Sequence, residues 1–349
     1  MPQQDLCRYG TSFRAKHWRS LDLCGCFGVL LSLSVHLYAI AVIATQLIDH
    51  SLVSTILFFG GYMPCALLAL LSLYKAWSTN PGAVPLGARP LTTVRRAGSN
   101  LSNNNSRSLR RCPHCHDNYK PPRAHHDRIT GRCIVKFDHF CPWVGNAVGA
   151  LNHKFFGLFL LYTSLCCVQS LLLLFLRAIH CGFLDEETND YLYAECGDFY
   201  ASRLNLGLLV ASVLFLVFTV SMGCEQLEAI RTGQGKIARM KMRVGQSGAT
   251  ELQRVTEEFN EMFGGESPTV QWHWWLPTSV EFPRGMKKVV LGYEWDESFE
   301  RTAYQEDSDR EMDDMETAGP TTELTNAGLL RSDSSVSMES TVKKRKEIV

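Results

Sequence analysis

Net charge is the first thing this chain lacks. Lys and Arg total 35, Asp and Glu also total 35, and 46% of the 349 residues are apolar. That balance excludes a basic nucleic-acid binder and a chain that is acidic and disordered throughout. Charge is also missing locally. Four long stretches, 23–47, 52–74, 155–176 and 204–224, contain no Asp, Glu, Lys or Arg. At ~1.5 Å per residue each is long enough to cross roughly 30 Å of hydrocarbon, so the chain reads as an integral membrane protein. Uncharged spans argue against a channel or ion-coupled transporter, whose pathways need ionisable groups. His36 is the one charge-capable exception, and a lone span histidine is most often a hydrogen-bond partner for a neighbouring helix. A cleavable signal peptide is not evident either, because the first apolar run is too long and begins too late.

The cations that exist gather on one side. Arg8, Arg14, Lys16 and Arg19 precede the first run, and Arg89, Arg95, Arg96, Arg110 and Arg111 lie between the second and third. The short connection 48–51 has no Lys or Arg, and the loop 180–202 is acidic, with Asp185, Glu186, Glu187, Asp190, Glu195 and Asp198. The positive-inside rule then predicts that both termini and the central loop are cytosolic. Cys181 and Cys196 on the outer loop are either a disulfide or a pair of free thiols.

Beyond the fourth run, 225–244 reads as a basic amphipathic stretch along the headgroups. Residues 251–263 read as helical and are followed by Gly264-Gly265 and by Trp272, Trp274 and Trp275, a patch suited to interfacial anchoring or to packing on the central loop. The polar linker 99–108 and the acidic, Ser/Thr-rich, finally basic tail 295–349 have the composition of disordered segments. The predicted organisation is a cytosolic N-terminus at 1–22, two spans at 23–77, a cytosolic linker and cysteine-rich domain at 78–154, and two spans at 155–225. An amphipathic and Trp-rich segment at 226–294 and the tail complete it.

Of the 13 cysteines, several fall in the stretch 112–156, where spacing favours metal over disulfides. Cys112 and Cys115 have the C-x2-C spacing of a zinc knuckle, with His126 and Cys133 as natural third and fourth ligands. The same loop carries Asp138-His139-Phe140-Cys141-Pro142-Trp143. It resembles the cysteine-rich domain of the DHHC-type protein S-acyltransferases (palmitoyltransferases), whose usual DHHCPW core reads DHFCPW here. The resemblance covers the four-span layout and is specific over about 112–159.

The fold implied is an all-α polytopic membrane protein, with four transmembrane helices and a cytosolic zinc-binding cysteine-rich loop between helices two and three. Cys141 aligns with the family's nucleophile, His139 with its base and Asp138 with the residue that orients the base. A free thiol is mostly protonated at neutral pH, so it needs such a base to attack a thioester. Lys120, Arg123 and His125, in a run similar to the family's KPxRxxH, supply charge for the phosphates of coenzyme A or, equally, for anionic lipid. Trp143 would line the acyl entrance, Phe156 and Phe159 the upper wall of an acyl pocket, and Cys166 its far end, since ~20 Å of extended palmitoyl spans about thirteen helical residues.

Most family members hold a second zinc, and the four positions that would do so here are Asp127, Thr130, Phe140 and Ala147. One zinc per chain is therefore predicted, with an apolar contact made by Phe140 and Ala147 and hydrogen bonds from Asp127 and Thr130 closing the second lobe. The family's Asp-Pro-Gly appears as Asn80-Pro81-Gly82, and its Thr-Thr-x-Glu has only Gly235-Lys236-Ile237-Ala238 as counterpart. The implied activity is transfer of a palmitoyl-type group from acyl-CoA to Cys141 and then to juxtamembrane cysteines of protein substrates. Membrane lipid is a further partner, nucleic acid is not, and the implied location is the Golgi or another endomembrane. The other reading is a catalytically inactive zinc-binding membrane scaffold.

Overall fold

The structure, a computed structural model, describes residues 10–13, 15, 17–48, 52–91, 110–182, 196, 199–232, 259–266, 269–283 and 285–294. The linker 99–108, most of the acidic loop 180–202, the basic stretch 233–244, the Gly235–Ala238 counterpart and the tail 295–349 lie outside the described residues.

Four helices are long and apolar enough to cross a membrane. The first, α1, runs over Leu23–Leu47, α2 over Leu52–Ser78, α3 over His153–Gly182 and α4 over Arg203–Thr232. Asp22 starts α1 as its N-cap, where its carboxylate accepts from the Gly25 amide and fills one orphan donor of the first turn. α3 is the central helix. More than half of its apolar window is buried, 56%, against 17% for α4, because α2 and α4 both pack along it. Polar side chains tie the spans together where lipid offers no other partner. His36 of α1 meets Thr163 of α3, Tyr38 donates to the Leu204 carbonyl of α4, and Ser164 donates to Thr219 across α3 and α4. At the other end of the bundle Cys181 and Cys196 are disulfide-bonded.

Between α2 and α3 the chain folds into short antiparallel hairpins. β1 is Arg89–Pro90, β2 Arg111–Cys112, β3 Asn118–Tyr119, β4 Ala124–Asp127, β5 Arg132–Val135, β6 His139–Cys141 and β7 Asn146–Val148. β2 pairs with β3, β4 with β5 and β6 with β7. Two buried asparagines seat the loop on the bundle. Asn146 donates to the Ala76, Trp77 and Thr79 carbonyls, the groups left open where α2 ends, and Asn152 donates to the Ala76 and Ala147 carbonyls. Asn80 accepts from the Gly82 and Ala83 amides, so a neutral side chain holds this turn.

Segments that follow the bundle also pack with the loop. β8, Tyr293–Glu294, pairs with β1, and Val290, Leu291 and Tyr293 are buried in one cluster with Cys112, Cys115 and Cys133. The short helix α5, Phe259–Phe263, joins through Glu261, and a turn at Trp272–Trp275 follows it. Trp274 is buried against Phe259 and Phe263, whereas Trp272 and Trp275 are exposed. That segment lies on α3, where Lys154 donates to Thr278 and Tyr162 to the Trp275 carbonyl.

Candidate active site and metal centre

Cys112 ends β2 and Cys115 follows in the turn, which His116 and Asp117 close in left-handed conformations at φ 50° and 53°. His126 and Cys133 are direct partners across β4 and β5. The four side chains offer ligand atoms that all lie within 4.8 Å of one another. A tetrahedral zinc with Zn–S near ~2.3 Å places its ligand atoms roughly 3.5–3.8 Å apart. Here Cys115 Sγ lies 3.8 Å from Cys133 Sγ and 3.3 Å from His126 Nδ1, and Cys112 Sγ lies 3.7 Å from the same nitrogen. The donor set therefore fits zinc. The hydrogen bond between Cys115 and Cys133, with a further bond to His126, lowers the Cys115 thiol and raises Cys133, so Cys115 gives up its proton first and its thiolate is available to a metal. Four protein ligands would leave no open position, so a zinc held there would serve as a structural brace.

The four positions of the family's second zinc are arranged otherwise. Asp127 accepts from the Ile129 amide and, through Oδ2, from the Thr130 amide and hydroxyl at 2.9 and 2.7 Å. Phe140 and Ala147 are partners across β6 and β7. Both pack with Ala83, Ile134, Phe137 and Trp18, the last of which comes from the segment before α1. Trp18 donates to Asn146, and Arg132 stacks on Phe13 with its guanidinium 3.7 Å from the ring centre. The N-terminal segment thus closes this lobe together with the predicted contacts.

Hairpin β6–β7 carries His139 and Cys141, the residues expected to react, directly after Asp138. His139 Nδ1 lies 2.9 Å from Asp138 Oδ2, and its Nε2 makes no hydrogen bond among the described residues. Burial opposes the charged ring, but Asp138 and the Cys141 thiol outweigh it and raise His139 to about 9. Cys141 is buried at 2% exposure in a cluster with Leu73, Phe155, Phe156 and Phe159. The turn after it sits directly on α1, and a Cβ on Gly28 would come within 2.1 Å of the Pro142 oxygen, so only glycine permits the approach. Ser32 donates to the Trp143 carbonyl, and the Trp143 ring meets Phe215 and Phe218 of α4 at 5.6 and 5.2 Å. Below it a cavity between the spans is bordered by His36, Tyr62, Thr163, Cys166, Ser170 and Phe215.

The expected cation cluster is only partly gathered for phosphate. Arg123 donates to Glu261 at 2.9 Å, and Lys136 Nζ lies 2.5 Å from the same oxygen. Burial would raise the Glu261 carboxyl, but Lys136 and then Arg123 hold it below the ordinary value. Lys120 and His125 are half-buried nearby in sequence, on the way into and along β4. Sequence reasoning missed Glu261, Asn146, Trp18 and also Gln226, an amide in α4 that donates to Asp138 at 3.0 Å.

Comparison with known proteins places these features in one lineage. The DHHC palmitoyltransferase family model matches residues 105–243. The chain is 31% identical over 257 residues to "Palmitoyltransferase ZDHHC3-A" of Danio rerio, covering 71% of this chain and 75% of that protein. It is 32% identical over 233 residues to "Palmitoyltransferase ZDHHC3" of Homo sapiens, covering 64% and 73%. It is 30% identical over 226 residues to "Probable protein S-acyltransferase 13" of Arabidopsis thaliana, covering 62% and 70%. With a matching family model, relatives covered over most of their length and four apolar helices flanking a Cys3His cluster, the chain belongs to the DHHC palmitoyltransferase family.

Proposed function

We propose that this protein is an active S-acyltransferase, which moves a palmitoyl-type chain from acyl-CoA to Cys141 and then to cysteines of protein substrates. The observation that carries this reading is the Asp138–His139 hydrogen bond beside a buried Cys141 at the head of an apolar cluster. In the first step the proton of Cys141 resides on His139 Nε2, in keeping with the raised ring, and the thiolate attacks the thioester carbonyl. The carbon–sulfur bond to coenzyme A breaks, and its thiolate recovers the proton from the imidazolium. In the second step an acceptor thiol gives its proton to His139 and attacks the Cys141 thioester, and Cys141 leaves and is reprotonated. One nucleophile thereby serves two transfers. Asp138 holds the ring with Nδ1 protonated and Nε2 turned to the thiol, the division of roles seen in other nucleophile–base–orienter sets.

In this reading Cys112, Cys115, His126 and Cys133 hold one zinc that fixes the loop. Lys120 and His125, with the share of Arg123 that Glu261 leaves, meet the phosphates of coenzyme A or anionic lipid. Trp143, Phe156 and Phe159 line the start of the acyl path and Cys166 its far end. Both termini face the cytosol, an orientation supported by the cation distribution and by a Cys181–Cys196 disulfide on the opposite side, where oxidising conditions prevail. Golgi or other endomembrane residence and acceptor cysteines close to the membrane complete the proposal.

The test is incubation of purified protein with labelled palmitoyl-CoA. The expected result is label that hydroxylamine releases from wild type and that Cys141→Ser lacks. Equal label on Cys141→Ser would remove Cys141 as nucleophile, and no label on wild type would favour the inactive zinc-binding scaffold.

A further inference from the structure

Asp138 is held from two sides. Its Oδ2 accepts from His139 Nδ1 at 2.9 Å and from Gln226 Nε2 at 3.0 Å, while Gln226 Oε1 meets His153 Nε2. Asp138, Gln226 and His153 are all buried, at 4, 3 and 9% exposure. An ionised carboxylate only accepts, so Gln226 must turn its NH2 to Asp138 and its carbonyl oxygen to His153, whose Nε2 must then carry a proton. A single arrangement satisfies the set. It links β6, the first residue of α3 and the cytosolic part of α4 through one chain of hydrogen bonds.

We infer that Gln226 is a positioning residue for the acyl transfer, which fixes the Asp138 carboxylate so that His139 presents Nε2 to Cys141. Burying the Asp138 carboxylate carries a desolvation cost that its hydrogen-bond donors have to offset. A second charge-assisted donor offsets that cost and removes the carboxylate's freedom to rotate. Gln226 touches neither thiol nor substrate, and it acts through Asp138. The bond also assigns to the fourth span itself a brace on the reacting hairpin, independent of the segment that follows α4. This inference rests on the acyltransferase reading above.

The experiment follows self-acylation of the purified full-length protein by rapid quench with labelled palmitoyl-CoA between pH 6 and 9.5, with zinc content and soluble yield as controls for folding. Gln226→Leu removes the donor and keeps the bulk. Loss of a hydrogen bond to a charged group should slow acylation about tenfold to a hundredfold at every pH with zinc retained. Gln226→Glu discriminates positioning from simple packing. Two facing carboxyls share a proton, and the like charge raises the pKa at which it leaves. Below that pH the new side chain still donates to Asp138 and the rate should approach wild type. Above it the donor is lost, and the rate should fall where wild type does not.

A Gln226→Leu protein with wild-type rate and pH profile overturns the inference. So does a Gln226→Glu profile parallel to wild type, and this variant decides the matter if Gln226→Leu does not fold. Wild type that takes no label overturns the acyltransferase reading itself.

Discussion

Phe140 faces Ala147 across the β6–β7 hairpin, and the tip of its ring lies 3.4 Å from where a Cβ on Gly25 of α1 would stand. A position that is a histidine in the DHHC core is thus an apolar wedge between the hairpin and the first span. Phe140→His should destabilise the protein by about 2 kcal/mol, since it exchanges buried apolar surface for a polar ring without metal partners. Thermal unfolding of the purified variant measures this, and a variant as stable as wild type would contradict the wedge.

The metal stoichiometry follows from the same replacement. Elemental analysis should give one zinc per chain, held by Cys112, Cys115, His126 and Cys133, and Cys112→Ala should lose it along with the compactness of the loop. A reproducible ratio of two would show that Asp127 and Thr130 take part in a second site.

His139→Ala should cut the rate of self-acylation by roughly 10²–10⁴-fold, the usual loss when a general base is removed. Rapid-quench labelling at fixed palmitoyl-CoA reads it. A rate within a factor of a few of wild type would leave Cys141 to be activated by another group.

The same ring makes stability depend on pH. His139 is raised from 6.5 to about 9 in the folded protein, so its charged form stabilises the fold fully below pH 6.5 and ceases to do so as pH rises through about 9. The difference corresponds to at most roughly 3 kcal/mol. The gap in unfolding temperature between wild type and His139→Ala should therefore be wider at pH 6 than at pH 9.5, where only the packing and hydrogen bond of the neutral ring remain. A gap that widened with pH would reverse the sign assigned here.

Cys166 borders the cavity below Trp143 and is buried at 4% exposure. Cys166→Phe should shorten the space and shift preference toward shorter acyl-CoAs, as read from competition between chain lengths. An unchanged profile would take Cys166 out of the acyl path.

Much of this architecture was legible in the residues. Uncharged runs of sufficient length gave the spans, the C-x2-C spacing with His126 and Cys133 gave the metal cluster, and the DHFCPW core pointed to Cys141, His139 and Asp138. Each of these signals is local, either a continuous run or a fixed spacing. His36 also meets Thr163, the interhelical role expected of a lone span histidine. What remained hidden depends on contacts between residues far apart in the chain. Trp18 reads as an ordinary aromatic at the edge of a span, yet it packs on Ala147 and donates to Asn146. Glu261 reads as one acid among several, and only the fold puts it against Arg123 and Lys136. A glutamine near the end of an apolar run was a usable hint for Gln226, because a polar amide at that depth needs a partner.

The placement of Val290, Leu291 and Tyr293 in the core around Cys112, Cys115 and Cys133 sets an order of assembly. The ribosome delivers the metal ligands before α3 and α4, and delivers the residues that cover them only after both helices have been made. Until then the knuckle lacks part of its apolar cover. The lobe is completed only when the chain has threaded the membrane four times and returned, which ties maturation of the reacting loop to successful insertion of the whole bundle.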